Sequence, residues 1–430
     1  MFKQAFLGWL IGLIFMSPAA AENWSEKIQA IESEVIQWRR HFHQYPELSN
    51  REFNTAKTIA QELRKMGLEV KTGIAHTGVV AIVDSEKPGP VVALRADIDG
   101  LPISETANLP FASKQVSEFN GQQVGVMHAC GHDAHIAMLL GAAKILSQNK
   151  QALTGKVKFI FQPAEEGAPA EEEGGAELMV KQGVLKNPDV DVIFGLHIWS
   201  NLEAGKISYR EGGTLAAVDT FKLVVKGKQA HGAYPWKSVD PIVTSAQIIL
   251  ALQTIVSREL TLIEDAAVVT VGSIHGGVRS NIIPSEVEII GTLRSLNPKM
   301  REQIREAVHR KATNIAASMN AQVDVLLPFG ANYPVTYNDP KLMHSMLPAL
   351  TNSLGDDNVL PAKAQTGAED FSFYQQQVPG LFLGVGGMPK GQSSLKAPAH
   401  HTPEFFIDES GLTTGVKTLV TLTTAYMANH

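Results

Sequence analysis

The sequence predicts an α/β protein: a mixed, mostly parallel sheet layered with helices, into which a smaller α+β unit of ferredoxin-like order is inserted. Three observations carry this. Short β-branched runs alternate with helical apolar spacing in the first half of the chain; the order changes to β-α-β-β-α-β from about residue 217 to about residue 328; and the first pattern then resumes. At 430 residues, 44% hydrophobic and 19% charged, the chain has material for two domains.

Taken in order, the chain opens with a segment that reads as a secretory leader. Lys3 precedes an apolar stretch from Phe6 to Met16, Pro18 breaks it, and Ala19-Ala20-Ala21 fits a small-residue cleavage pattern, so residues 1–21 are expected to direct export, with cleavage after Ala21 and a periplasmic or secreted product. The stretch is short of the roughly 20 residues that span a bilayer, so no stable membrane anchor is expected. A net charge of −6, with no basic cluster longer than Arg39-Arg40, argues against nucleic acid as a partner and favours small molecules.

Trp24 to Tyr45 and Arg51 to Met66 have helical spacing, the second with Phe53, Ile59, Leu63 and Met66 on one side and Gly67 as its stop. Strands are predicted at Gly78 to Val83, Val91 to Ala96, Val157 to Phe161 and Val190 to Gly195. The inserted unit reads as strand Thr220 to Val225, helix Val239 to Ser257, strands Ala267 to Ile274 and Val287 to Leu293, helix Pro298 to Met319 and strand Gln322 to Leu327. Helix Pro340 to Leu354, strand Gly380 to Val385 and helix Glu409 to Met427 complete the layered unit.

The chemistry gathers at the carboxyl ends of the predicted strands, where sheets of this class hold ligands: Asp97 and Asp99, Glu165 and Glu166, and His197, which is taken to end its strand. The run Met127 to His135 places the only cysteine, Cys130, two residues from His132 and just before an apolar helix (Ile136, Leu139, Leu140, Ala143, Leu146). On an extended segment, positions i and i+2 project to one side, as two ligands of one ion require. A lone cysteine is more often an inert buried hydrophobe, but three histidines and an aspartate surround this one. Metal coordination would also protect an unpaired thiol in an oxidising compartment. Adjacent carboxylates point apart, so one of Glu165 and Glu166 can ligate while the other takes a proton from water. His197 alone reads as a core histidine, and His400-His401 as a pair of loop histidines.

Taken together, these segments resemble the M20 family of metallopeptidases, in the amidohydrolase branch of hippurate hydrolases, bacterial N-acyl-amino-acid amidohydrolases and plant auxin-conjugate hydrolases. The resemblance rests on His43-Gln44-Tyr45-Pro46-Glu47-Leu48-Ser49, Leu94 to Pro102, Met127 to His135, Phe161 to Glu166, Gly195-Leu196-His197, Gly367 to Phe371 and His401 to Phe405, all in order. It implies a phosphorylase/hydrolase-like catalytic domain (residues 22–216 and 329–430) and a lid and dimerisation domain (217–328). It also implies two divalent metal ions, of zinc, manganese, cobalt or nickel, held by Cys130, His132, Glu166, His197 and His401, with Glu165 as general base and Asp97 and Asp99 orienting the ligands from behind. His231 would stabilise the oxyanion in the other subunit of a homodimer, and Asn281 and Arg294 would face substrate, Arg294 clamping a carboxylate. Gln229-Ala230 and Trp236 depart from the pattern common around the lid histidine.

The expected function is that of an exported dinuclear amidohydrolase that cleaves N-acyl amino acids, such as hippurate-like or aryl-acid conjugates, to a carboxylic acid and a free amino acid. The alternatives are a dipeptidase or exopeptidase of the same family, or a binding protein without catalysis, against which the presence of both Glu165 and Glu166 argues.

Overall fold

The computed structural model describes residues 19–330 and 332–430; residues 1–18 of the predicted leader lie outside the described residues. The chain runs α1 (Ala19–Ala30), α2 (Glu32–Gln44), α3 (Phe53–Lys65), β1 (Glu69–Ile74), β2 (Gly78–Asp84), β3 (Val91–Asp97), a hairpin of β4 (Val116–Phe119) and β5 (Gln122–Gly125), α4 (His132–Gln148), β6 (Lys156–Gln162), α5 (Gly175–Lys181), β7 (Val192–Glu203), β8 (Ile207–Tyr209) and β9 (Gly212–Leu215). The inserted unit follows as β10 (Ala217–Lys226), β11 (Ala230–His231), α6 (Pro241–Glu259), β12 (Ala267–His275), β13 (Ile282–Ile283), β14 (Glu286–Ser295), α7 (Pro298–Ser318) and β15 (Gln322–Leu326). The chain returns through β16 (Asn332–Tyr333), β17 (Thr336–Asn338), α8 (Pro340–Leu354), β18 (Val359–Pro361), α9 (Ser372–Gln375), β19 (Gly380–Met388) and α10 (Leu412–Asn429).

The large sheet has the order β1-β2-β6-β3-β7-β19-β8-β18. Its centre, β6-β3-β7-β19, is parallel throughout, while β1, β2 and β8 add antiparallel pairings outside it, so the sheet is mixed with a parallel heart. Side chains of β3 alternate between two cores, as the strand period demands. Val92, Leu94 and Ala96 enter the core beneath α2, α3, α4 and α10, and Ala93 enters the one beneath α5 and α9.

The inserted unit has a sheet of its own in the order β12-β14-β10-β15, antiparallel at each pairing, which is the predicted ferredoxin-like arrangement. Its core is separate: Phe221, Leu223, Ile248, Leu252, Ile289, Ile304 and Val308 pack there. Helix starts are written locally. Asp240, Asn297 and Asp339 each accept a backbone N–H of the first turn of α6, α7 and α8, and each is followed by Pro at the first helical position, where its missing N–H costs nothing.

Three expectations needed correction. Trp24 to Tyr45 is two helices broken at Ile31, because α1 packs on α10 while α2 packs on α4. β1 was not anticipated, since Glu69-Val70-Lys71-Thr72-Gly73-Ile74 is an edge strand with no buried position to give it an apolar face. His197 does not end its strand: β7 continues to Glu203, but its pairing with β3 stops at Gly195, while β3 stays paired with β6 as far as Asp97, so His197 lies just past the point where β3 and β7 part. The crevice at the carboxyl edge therefore opens where two neighbouring strands of the sheet part.

Candidate metal centre

Three turns and a strand converge at this edge. Gly131, at φ 92, separates Cys130 from His132, the first residue of α4; a Cβ there would lie 2.3 Å from Cγ2 of Ile198. Cys130 and His132 thus meet across a left-handed glycine turn, not along the extended segment expected from their spacing. After β6, Ala164 takes φ 52 and sends Glu165 and Glu166 into the crevice. His401, at φ 62, is tied by its N–H to the Ala129 carbonyl at 2.9 Å. β7 delivers His197.

The hydrogen bonds decide which ring nitrogens are free. Nδ1 of His132 donates to the Asp99 carbonyl (2.9 Å) and Nδ1 of His197 to the Ile198 carbonyl (2.7 Å), which leaves Nε2 of each as the lone-pair donor. Nε2 of His197 faces Sγ of Cys130 at 3.4 Å, and Nε2 of His401 lies 3.3 Å from the same sulfur and 3.1 Å from Oε1 of Glu166. Nε2 of His132 stands 3.8 Å from Oε2 of Glu165 and 3.9 Å from Oε1 of Glu166. The five residues named as ligands are therefore brought together, with Glu165 beside them. His400 also approaches Cys130, but both its nitrogens are committed, to the Cys130 carbonyl and the Ser200 N–H.

The donor set fits a divalent metal on a physical test. Nε2 of His132 is buried with no hydrogen-bond partner, a costly state for a polar atom unless a cation meets it, and Oε1 of Glu166 beside it has only the His401 ring nitrogen at 3.1 Å. Burial pushes the Cys130 thiol well above its ordinary range, and Glu166, Glu165 and Asp97 push it further, so without a cation the thiol stays protonated. A coordinated metal reverses that preference. Burial, with His135 and His400, holds His197 well below the usual histidine range, which leaves it the neutral imidazole that a metal takes.

The surrounding charges hold the donors in place. Asp99 accepts the N–H groups of Glu165 and Glu166 (3.1 Å each) and the Ser49 hydroxyl (2.7 Å). Asp97 accepts from Arg95 (2.8 Å) and His135 (2.5 Å), and its Oδ2 lies 3.8 Å from Nε2 of His132. Burial lowers His132, but Asp97 and Asp99 outweigh it and raise the ring to about 10 without a cation; a coordinated metal takes Nε2 in place of that proton. Without cations, burial also raises Glu165 well above the carboxylate range, helped by Glu369 and Glu166, a preference that positive charge at the donors would reverse.

Sequence reasoning missed the buried charges behind Glu165. Arg95 reaches Asp97, Glu369 (3.1 Å) and Asp370 (3.0 Å), and Gln162 bonds both Arg95 and Asp370. Arginine between Leu94 and Ala96 in a buried strand was the available signal. His43 of the first motif is held away from the donor set, between Asp133 (2.9 Å) and Glu105 (3.1 Å).

The inserted unit presents its residues differently. His231 and Asn281 are exposed neighbours on the ribbon of β11 and β13, joined by the Gly232 N–H to the Asn281 carbonyl at 2.8 Å. Among the described residues, the His231 ring contacts only its own loop, at the Ala233 N–H and the Tyr234 ring. Arg294 is half-buried on β14 opposite Val218 and Val268 and makes no ion pair among the described residues.

Residues 93–425 match peptidase family M20/M25/M40. A thermostable carboxypeptidase of Saccharolobus solfataricus is 38% identical over 395 residues, 92% of this chain and 95% of that protein. An IAA-amino acid hydrolase of Arabidopsis thaliana is 40% identical over 391 residues, 90% of this chain and 84% of its own length. An N-acetyl-L-cysteine deacetylase of Bacillus subtilis is 37% identical over 385 residues, 90% and 86% of the two chains. Among solved structures, a dinuclear metal-binding M20 peptidase of Bacillus subtilis superposes with a TM-score of 0.77 at 35% identity, covering 94% of this chain and all of that one.

Proposed function

The chain belongs to peptidase family M20/M25/M40, and from that premise we propose that it is a dinuclear metal-dependent amidohydrolase that splits N-acyl amino acids into a carboxylic acid and a free amino acid. The observation that carries this reading is the divergence of the glutamate pair. Glu166 faces Cys130 and His401, while Glu165 lies against His132 and the buried acids Glu369 and Asp370.

Cys130, His132, Glu166, His197 and His401 would hold the two cations. These supply an acidified water, with a pKa near ~7, and an electrophile for the acyl carbonyl. Glu165 takes the proton of the attacking water on its carboxylate and returns it to the nitrogen of the leaving amino acid. Asp99 keeps His132 turned with Nε2 forward, and Arg95 balances the charge of Asp97, Glu369 and Asp370 behind the base.

His231 and Asn281 would complete the site across a homodimer. In support, both are exposed, and Trp236, Val278 and Ile263 on the same unit expose 74%, 89% and 96% of their surface, an apolar area that a second copy can cover. Arg294, half-buried and without an ion pair, suits the substrate carboxylate. Residues 1–21 would export the protein.

The test is amine release from N-benzoylglycine, N-acetylmethionine and an unblocked dipeptide, by protein stripped with chelator and then resupplied with zinc, manganese, cobalt or nickel. Turnover of the acylated substrates that returns with metal supports the reading. Turnover of the dipeptide alone would replace it with an exopeptidase.

A further inference from the structure

Three consecutive amides at the turn that carries the two glutamates end on buried carboxyl groups. Glu165 and Glu166 donate to Asp99, and the Ala164 N–H donates to Oε1 of Glu52 at 2.9 Å. Glu52 is fully buried and precedes α3, yet its side chain caps no N–H of that helix. Its other oxygen receives the Thr77 hydroxyl at 2.6 Å, just ahead of β2. The carboxyl is thus spent on fastening the turn after β6 to the edge of the sheet.

Ala164 needs fastening. Its φ of 52 is left-handed, a conformation that a residue with a Cβ keeps only where its surroundings enforce it. The segment leading to Glu52 works to the same end. The Gly100 N–H donates to the Glu47 carbonyl at 2.7 Å, Ser49 bonds Asp99 at 2.7 Å, and Nδ2 of Asn50 reaches the Glu173 carbonyl at 3.1 Å. Residues 47–52 therefore buckle together the two turns from which Asp99 and the glutamate pair project.

We propose that Glu52 is a positioning residue for hydrolysis: by holding the Ala164 amide it sets the direction in which Glu165 faces the metal donors. This rests on the reading of Glu165 as the base. Burial, with Asp99 nearby, raises the Glu52 carboxyl to about 8, so glutamine keeps its length and its neutral form, its Oε1 accepting the Ala164 N–H and its amide group donating to the Thr77 oxygen.

The experiment compares Glu52→Gln, Glu52→Ala and Glu52→Asp in the full metal-loaded chain, by amide hydrogen exchange over residues 162–168, metal content, and kcat and KM on the best N-acyl amino acid. Glu52→Gln is expected to keep protection and to hold kcat within about threefold, while Glu52→Ala exchanges faster and loses kcat on the order of 10²-fold with KM and metal content little changed. Glu52→Asp, too short by one methylene to reach the Ala164 amide, gives the same answer if the alanine variant does not fold. Protected turn amides or wild-type kcat in the shortened variants would overturn the proposal, as would loss of metal in step with loss of activity. A wild-type chain silent on every acylated substrate would remove the proposed function, and the exchange comparison would still decide whether Glu52 holds the turn.

Discussion

Around Cys130, Asp97, Asp99, Arg95 and Gln162 are buried and each is tied to two or more neighbours, whereas His231 and Asn281 stand exposed on a two-stranded ribbon of the inserted unit. The difference is one of preorganisation. Charges grouped in the crevice repel one another and survive only because backbone amides, Arg95 and a cation hold them. The ribbon holds nothing against repulsion, so its residues cost little to keep.

That contrast can be broken by substitution. The largest effect is expected from Glu165→Gln, which removes the base and leaves the five donors: kcat should fall by roughly 10²–10⁴-fold while metal content measured by elemental analysis stays near wild type. Next is His231→Ala, for which a loss on the order of 10²–10³-fold is expected with a thermal midpoint unchanged, as befits an exposed side chain. A His231→Ala protein that keeps its activity would end the idea that the ribbon completes the site, and mixing it with Glu165→Gln should restore activity if the two act across an interface.

Chelation should separate the two units energetically. Metal at a hundredfold over its dissociation constant stabilises the folded state by about 2.7 kcal/mol, so stripping it should speed exchange around α4 and β7 and leave the core of α6 and α7 unchanged. Metal binding should also release protons, because the Cys130 thiol, raised by burial and by Glu166, must give up its proton to coordinate; affinity then falls as pH falls, and calorimetry in buffers of different ionisation enthalpy reads the proton count. The smallest effect is expected from Arg294→Ala, a loss of about 1.5–3 kcal/mol carried mainly in KM if the guanidinium meets the substrate carboxylate.

Local signals account for what was legible beforehand. Cys130 and His132 fall within one run, Glu165 and Glu166 are adjacent, and the inserted unit announces itself through the order of its strand and helix patterns. Arg95 was passed over because, beyond Asp97 beside it, the acids it gathers are Glu369 and Asp370, the latter 275 residues away, and Glu52 because the amide it holds is 112 residues away. Nothing near either residue in the chain announces such a partner.

The sequence by itself determined the class of fold, the β-α-β-β-α-β insertion and the chemistry of the donors, since spacing and residue type act within a turn or a strand. Only the tertiary structure decided that a left-handed Gly131 joins Cys130 to His132, that β3 and β7 part just before His197, and that His400 is committed to backbone while His401 faces the sulfur. These are outcomes of which segments pack together, and packing is settled by contacts between residues far apart in the chain.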